Sequence, residues 1–218
     1  MKYIDNFKKT DSRFEKKYII KFDQLINFYS KNLNSIEKLH KSNNINNIYF
    51  DTIQNDFYDD HIEGNLNRLK ARIRWYTNGN NKFFFEIKIK NNFLNYKIKS
   101  EIDNFNLDNI SLKKINDIYY ALISKTDFKN FKYKFIKPTL YNNYDREYFY
   151  KKNIKNRITL DKNLYSQKLN INFSKKQKKY FYDNILEHKY FKTKYKDLNI
   201  PYIKYIGSSF SKYLHGIE

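Results

Sequence analysis

Along much of the chain apolar and polar side chains alternate one by one, the period of a strand whose successive residues face opposite ways. In RLKARIRWY, Arg68, Lys70, Arg72 and Arg74 hold the even positions and Leu69, Ala71, Ile73 and Trp75 the odd ones. RFEKKYII sets Arg13, Glu15 and Lys17 opposite Phe14 and Lys16, and FFFEIKIK sets Glu86, Lys88 and Lys90 opposite Phe85, Ile87 and Ile89. YKIKSEI sets Lys97, Lys99 and Glu101 opposite Ile98 and Ile102. YDREY groups Tyr144, Arg146 and Tyr148, RITLD groups Arg157, Thr159 and Asp161, and LEHKY pairs Glu187 with Lys189. Helical spacing is rarer and predicts Asp23–Leu33 behind an Asp cap, a short turn at Phe57–Ile62, Ser111–Ile123 and Tyr202–Leu214. Asn78-Gly79 and Asn91-Asn92 predict tight turns, which makes residues 68–101 an antiparallel meander. The Asn-rich SNNINN is predicted to be a loop running into NIYFDT, and no internal repeat is present.

An alternating strand usually buries its apolar face and wets the other, with no function implied. Here the polar residues are of an unusual kind. Arginine and lysine recur at positions that neighbouring strands can bring into register, where like charges destabilise a sheet. An antiparallel sheet rolled into a barrel with these stripes inward gathers the charge in a lumen of low dielectric, where an anion with many oxygens binds strongly. The predicted class is therefore α+β, an antiparallel β-barrel tunnel with a few flanking helices.

Composition narrows the partner. Forty-three Lys and Arg against 23 Asp and Glu give a formal charge of +20, which suits nucleic acid, an anionic membrane or a phosphate-rich small molecule. Lysine content alone says little, because Lys, Asn, Ile, Tyr and Phe all have A/T-rich codons. Arginine is the sharper signal: Arg13, Arg68, Arg72, Arg74, Arg146 and Arg157 are the only six, and all fall in predicted strands. The absence of cysteine excludes disulfides and Cys-ligated zinc, and the four histidines lack metal-ligand spacing, which leaves a hard, oxygen-bound metal. No run approaches the roughly 18 to 20 apolar residues of a membrane span, and the first residues carry no apolar signal segment. No Gly/Pro- or Ser-rich linker divides the 218 residues, so one domain over 1–218 in a soluble, cytoplasmic protein is expected.

Taken in order, RFEKKY, NIYFDT, the Tyr58–Gly64 approach to RLKARIRWY, FFFEIKIK, KPTLYNNYDREYF, RITLD, LEHKY and FSKYLHG resemble the VTC-domain polyphosphate polymerases of the triphosphate tunnel metalloenzymes. The resemblance implies a tunnel whose inward basic residues grip ATP and inorganic polyphosphate, with Mn²⁺ or Mg²⁺ on a glutamate, and transfer of the γ-phosphate of ATP to a growing polyphosphate chain. Carried over motif by motif, Arg72, Arg74, Lys88 and Arg146 take the catalytic places. Lys17, Lys97, Lys189, Ser211 and Lys212 are phosphate contacts, and Arg13, Arg68, Lys70, Lys90, Lys99 and Arg157 fit the same faces. Glu187 is the metal ligand, while Glu15 and Glu86 orient neighbouring cations. Cyclase and thiamine triphosphatase relatives begin with a Glu-x-Glu-x-Lys strand; Arg13 stands in place of the first glutamate, which favours the polymerase branch. Three other readings keep a place: a tunnel hydrolase, a module that binds polyphosphate without turnover, and a nucleic-acid binder stacking bases on Tyr and Phe. The last is disfavoured, because aromatics suit tunnel walls and cores equally well.

Overall fold

The computed structural model describes residues 13–32, 34, 36–77, 82–91, 94–103, 105–106, 111–126, 134–151, 156–191 and 210–218. In chain order its elements are β1 (Arg13–Ile20), α1 (Phe22–Asn32), β2 (Ile36–Thr52), α2 (Asp56–Ile62), β3 (Arg68–Tyr76), β4 (Phe83–Asn91), β5 (Leu94–Ile102), α3 (Leu112–Ile123), β6 (Ile136–Lys151), β7 (Arg157–Leu169), β8 (Lys175–Phe181), β9 (Asn184–Phe191) and α4 (Lys212–Ile217). The strands form one antiparallel sheet in the order β1-β9-β7-β6-β2-β3-β4-β5, with β8 attached to β7. All six arginines lie in strands.

The sheet is strongly curved. β1 and β3 stand five strand spacings apart along the sheet, about 24 Å if it were flat. Yet Lys17 on β1 donates to the Phe210 carbonyl at 3.3 Å and Lys70 on β3 donates to the hydroxyl of the next residue, Ser211, at 2.8 Å. Only a rolled sheet brings both cations to one dipeptide. Among the described residues β1 and β5 share no ladder, so the tunnel is an open, curled sheet rather than a barrel closed by hydrogen bonds.

Its apolar face is the outer one. The odd residues Leu69, Ala71 and Ile73 of β3 join Phe85, Ile87 and Ile89 of β4 beneath Ile115, Ile118, Tyr119, Leu122 and Ile123 of α3. A second core sets Leu25 and Phe28 of α1 against Tyr18, Ile20, Phe149, Ile158, Leu160 and Leu186. Each fully buried Leu or Ile here contributes roughly 2 kcal/mol, and that burial fixes the register that turns the even, charged residues inward. Ser111 caps α3 by accepting the Lys114 amide at 3.3 Å.

Several expectations need correction. SNNINN belongs to β2 instead of forming a loop, because its asparagines find partners across the strands: Asn47 donates to Asn142 at 2.8 Å and Asn44 to Asp145 at 2.9 Å. α1 starts at Phe22, one residue before the expected cap, and the Gln24 side chain accepts the Lys21 amide at 2.9 Å. α4 begins only at Lys212, where Ser211 caps it; residues 202–209 of the longer predicted helix lie outside the described residues, as does Asn78-Gly79. Asn91 of the predicted Asn91-Asn92 turn still belongs to β4 and pairs with Leu94, while Asn92 lies outside the described residues. β8, KKQKKYF, had no sequence signature because it lacks an apolar face and is exposed along nearly its whole length.

Asp51 ties α2 and α4 to the sheet. Its buried carboxylate accepts the Thr52, Phe57 and Tyr58 amides at 2.7, 2.8 and 2.9 Å and the Tyr213 hydroxyl. Asp51→Ala is expected to cost about 3 kcal/mol and Tyr213→Phe about 1 kcal/mol in chemical denaturation, since the first strands three amides and the second removes one bond. Wild-type stability in Asp51→Ala would show that water substitutes for the carboxylate.

Candidate functional site

Inside the curl lies a cavity of about 400 Å³. β1 supplies Lys17 and Glu15, β3 supplies Arg68, Lys70, Arg72 and Arg74, and β4 supplies Lys88 and Lys90. β6 adds Arg146 and Tyr144, β9 adds Glu187 and Lys189, and the C-terminal segment adds Phe210, Ser211, Lys212 and Leu214. Ten cationic side chains thus face two carboxylates. Counting Glu86 and Asp161, which stand behind the wall, still leaves six positive charges in surplus.

Cross-strand register decides which cations are neutralised. Glu86, directly opposite Arg72, is only 5% exposed; it accepts Arg72 Nε and Nη2 at 2.9 and 2.6 Å and Lys97 Nζ at 2.9 Å. Burial opposes ionisation of Glu86, but Arg72, Arg74 and Lys97 outweigh it and hold the carboxyl far below its ordinary range. Asp161, fully buried and opposite Arg146, takes Arg146 Nε and Nη2 at 2.6 and 2.7 Å and Lys212 at 2.6 Å. Both arginines therefore spend their forked edge on the wall. Arg74 differs: its Nε donates to Asn47 at 2.8 Å and its Nη2 to the Tyr144 hydroxyl at 3.2 Å, both neutral partners. Its charge stays available to a ligand.

Glu15 and Glu187 sit together near Lys17 and Lys189, with Glu15–Lys17 at 3.0 Å, Glu187–Lys189 at 2.6 Å and Glu15–Lys189 at 3.6 Å. Burial and the neighbouring Glu187 push the Glu15 carboxyl up, yet Lys17, Lys88 and Lys189 leave it below its ordinary value. Burial likewise resists ionisation of Glu187, and Lys189, Arg146 and Lys17 override it. Lys70 shows the opposite balance: burial first, then Lys17, Lys88 and Arg68, drive its ammonium well below the usual lysine range. A polyanion entering the cavity removes that penalty.

A family model described as the VTC domain matches residues 12–218. The chain belongs to the VTC domain family. No curated protein sequence matches it. Among solved structures it is similar to a protein of Bacillus halodurans described as a candidate adenylate cyclase (12% identity, 80% of this chain and 78% of that one, TM-score 0.47). It is also similar to HpAC1 of Hippeastrum, titled as having a dominant triphosphatase activity (14%, 80% and 78%, TM-score 0.43), and to PH1819 of Pyrococcus horikoshii (17%, 81% and 76%, TM-score 0.44). Family membership rests on the domain match and not on these likenesses.

The VTC domain places most residues singled out in the sequence on one cavity: Lys17, Arg68, Lys70, Arg72, Arg74, Lys88, Lys90, Arg146, Glu187, Lys189, Ser211 and Lys212. Three stand outside its wall. Lys97 turns beneath it onto Glu86, Lys99 covers the Phe84 ring at 4.5 Å, and Arg157 is exposed at the end of β7. Arg13 opens β1, and its side chain lies outside the described residues. His61, Tyr49 and Tyr144 line the cavity without having been chosen, and Asp161 sits behind its wall. For His61 the available signal was its place in the Tyr58–Gly64 approach to β3; for Asp161 it was a face shared with Arg157.

Among the described residues no group of three or more His, Asp or Glu side chains converges as a ready-made metal cage. The donors for a hard cation are nonetheless in place. Glu187 and Glu15 are ionised neighbours, and Thr159, paired with Glu187 across β7 and β9, buries a hydroxyl oxygen that has no hydrogen-bond partner. These oxygens fit Mg²⁺ or Mn²⁺ completing its shell from phosphate and water. No helix among the described residues is long and apolar enough to cross a membrane.

Arg72 and Arg74 should separate experimentally. Arg72→Ala leaves buried Glu86 without its main partner and is expected to destabilise the fold by about 3 kcal/mol. Arg74→Ala loses only two neutral contacts and should change stability by less than about 1 kcal/mol while weakening tripolyphosphate binding about tenfold or more. Denaturation paired with calorimetric titration checks both; equal destabilisation of the two variants refutes the assignment of Glu86 to Arg72.

Proposed function

We propose that this VTC domain is an ATP-dependent polyphosphate polymerase. The observation carrying this reading is a cavity with six surplus positive charges in which Glu15 and Glu187 are both ion-paired and held below their ordinary basicity. Such carboxylates are poor general bases for water. A terminal phosphate needs none, because it is already anionic.

In the proposed reaction an oxygen of the polyphosphate terminus attacks the γ-phosphorus of ATP. The bond from that phosphorus to the β–γ bridging oxygen breaks, and ADP leaves with the electron pair, so the chain grows by one phosphate. The transition state spreads charge over equatorial oxygens and asks the protein mainly for alignment and neutralisation. Arg74, Lys88, Lys70 and Lys90 would supply the charge that the wall does not consume. Arg72 and Arg146, locked by Glu86 and Asp161, would hold fixed positions and present the nitrogens their carboxylates leave free. Glu187, with Glu15 and Thr159, would hold the Mn²⁺ or Mg²⁺, which when bound adds Lewis-acid neutralisation of phosphate oxygens.

Purified protein with ATP and Mn²⁺ or Mg²⁺, its products resolved on a polyphosphate gel, tests this directly. A ladder supports the polymerase; orthophosphate without a ladder identifies a tunnel hydrolase; tight tripolyphosphate binding without turnover identifies a binding module. Glu187→Gln should cut turnover by about 10²-fold or more while tripolyphosphate affinity falls far less, since the cations remain. Wild-type rate and metal dependence in Glu187→Gln would transfer the metal to Glu15.

A further inference from the structure

His61 lies in the last turn of α2 and lines the cavity. Its Nδ1 is 2.7 Å from the Phe57 carbonyl oxygen. A carbonyl only accepts, so Nδ1 carries the proton and Nε2 keeps the lone pair. From β3 the ring feels Lys70 and Arg68, and from β4 Lys88. Farther along β3, Arg72 is held by Glu86 and Arg74 rests on the neutral Asn47 and Tyr144, while beside His61 in α2 Asp60 accepts from Asn65 at 2.9 Å. Asp51 of β2 is sealed by amides and Tyr213, Lys212 of α4 is held by Asp161, and Asp56 of α2 itself is paired with Lys134. Burial first, then Lys70, hold the imidazole down to about 3, so it is neutral in the empty tunnel at ordinary pH.

That balance reverses when the tunnel fills. A phosphate chain neutralises the cations that repel a proton on His61 and offers an oxygen that accepts from Nε2–H. We propose that His61 is a substrate-contacting residue that takes one proton from solvent when a linear polyphosphate enters the tunnel and, as an imidazolium donating from Nε2, adds a charge-assisted contact. The inference rests on the reading that the tunnel takes a phosphate chain. It makes grip and release pH-dependent: binding consumes a proton, so affinity weakens as pH rises toward the pKa of the loaded ring. It also removes His61 as a base for water, since the ring is a weak base when the tunnel is empty and already protonated when it is full.

The test uses the full chain labelled with ¹³C-histidine, with inorganic tripolyphosphate and no metal, so that nothing turns over. His61→Asn assigns the signal among the four histidines. Free protein should show a neutral His61 ring between about pH 5 and 8, and saturated protein an imidazolium at the acidic end of that range. Calorimetry near pH 6 in buffers of different ionisation enthalpy should find about one proton fewer taken up by His61→Asn than by wild type, with an affinity deficit that shrinks toward pH 8. His61→Gln replaces His61→Asn if the latter fails to fold. A ring that stays neutral in the saturated complex, a free ring that titrates near its ordinary value, or equal proton uptake by variant and wild type overturns the proposal alone. Failure of wild-type protein to bind tripolyphosphate overturns the tunnel reading, and this one with it.

Discussion

Mutual repulsion among cations pointed into one cavity is the constraint to which the rest of this structure answers. At about 4 Å two like charges cost roughly 4 kcal/mol at an effective dielectric of 20, and ten cations share a space of about 400 Å³. Two devices make this tolerable. Glu86 and Asp161, buried in the wall directly opposite Arg72 and Arg146, each absorb an arginine and a lysine. The outer faces of the same strands bury Leu69, Ile73, Ile87 and Ile89 under α3, so the apolar energy of the sheet is gained on the side away from the charge. The repulsion that remains adds to burial in depressing the ammonium of Lys70, and that repulsion is what a polyanion relieves.

The C-terminal segment depends on the same field. Lys212 enters the cavity against Asp161, Ser211 receives Lys70, and the Phe210 carbonyl receives Lys17. A short helix of six residues would be marginal alone. Here Tyr213 stacks on Tyr49 with centroids 5.2 Å apart and bonds to Asp51, which also holds the first turn of α2. α2 and α4 thus meet one buried carboxylate, and α2 in turn sets His61 on the cavity wall.

The fold was legible wherever one strand face was apolar. RLKARIRWY and FFFEIKIK alternate so regularly that period gave their two faces, the turn signals gave their antiparallel pairing, and the recurring like charges gave the inward turn of Arg72, Arg74 and Lys88. β8 was not legible, because an edge strand attached only to β7 needs no apolar stripe and KKQKKYF has little of one. SNNINN misled for the opposite reason: asparagine favours turns, but here side-chain bonds between β2 and β6 outweigh that preference. Within the site, residue types were legible and their allegiances were not. Whether an arginine faces a carboxylate depends on which residue of the neighbouring strand lies opposite, and Asp161 lies 15 positions from Arg146 across the pairing of β6 with β7, whose register the alternation by itself does not set. A sequence stripe names the face, and register names the partner.

The difference between paired and unpaired cations bears on the nucleophile. If the attacking group is a phosphate, both reactants are anions and their approach is itself uphill. Cations already matched to buried carboxylates can position the reactants, but they offset little of that repulsion because their own field is largely cancelled. The surplus must come from residues whose nearest partners are neutral, and Arg74, held by Asn47 and Tyr144, is one by geometry. Water attacking a phosphate brings no charge of its own and requires a base more than a surplus. A wall that pairs its carboxylates and leaves cations uncancelled suits a polyanionic ligand, and the proposed polymerase reaction, in which an anion meets an anion, would draw on that surplus for both reactants.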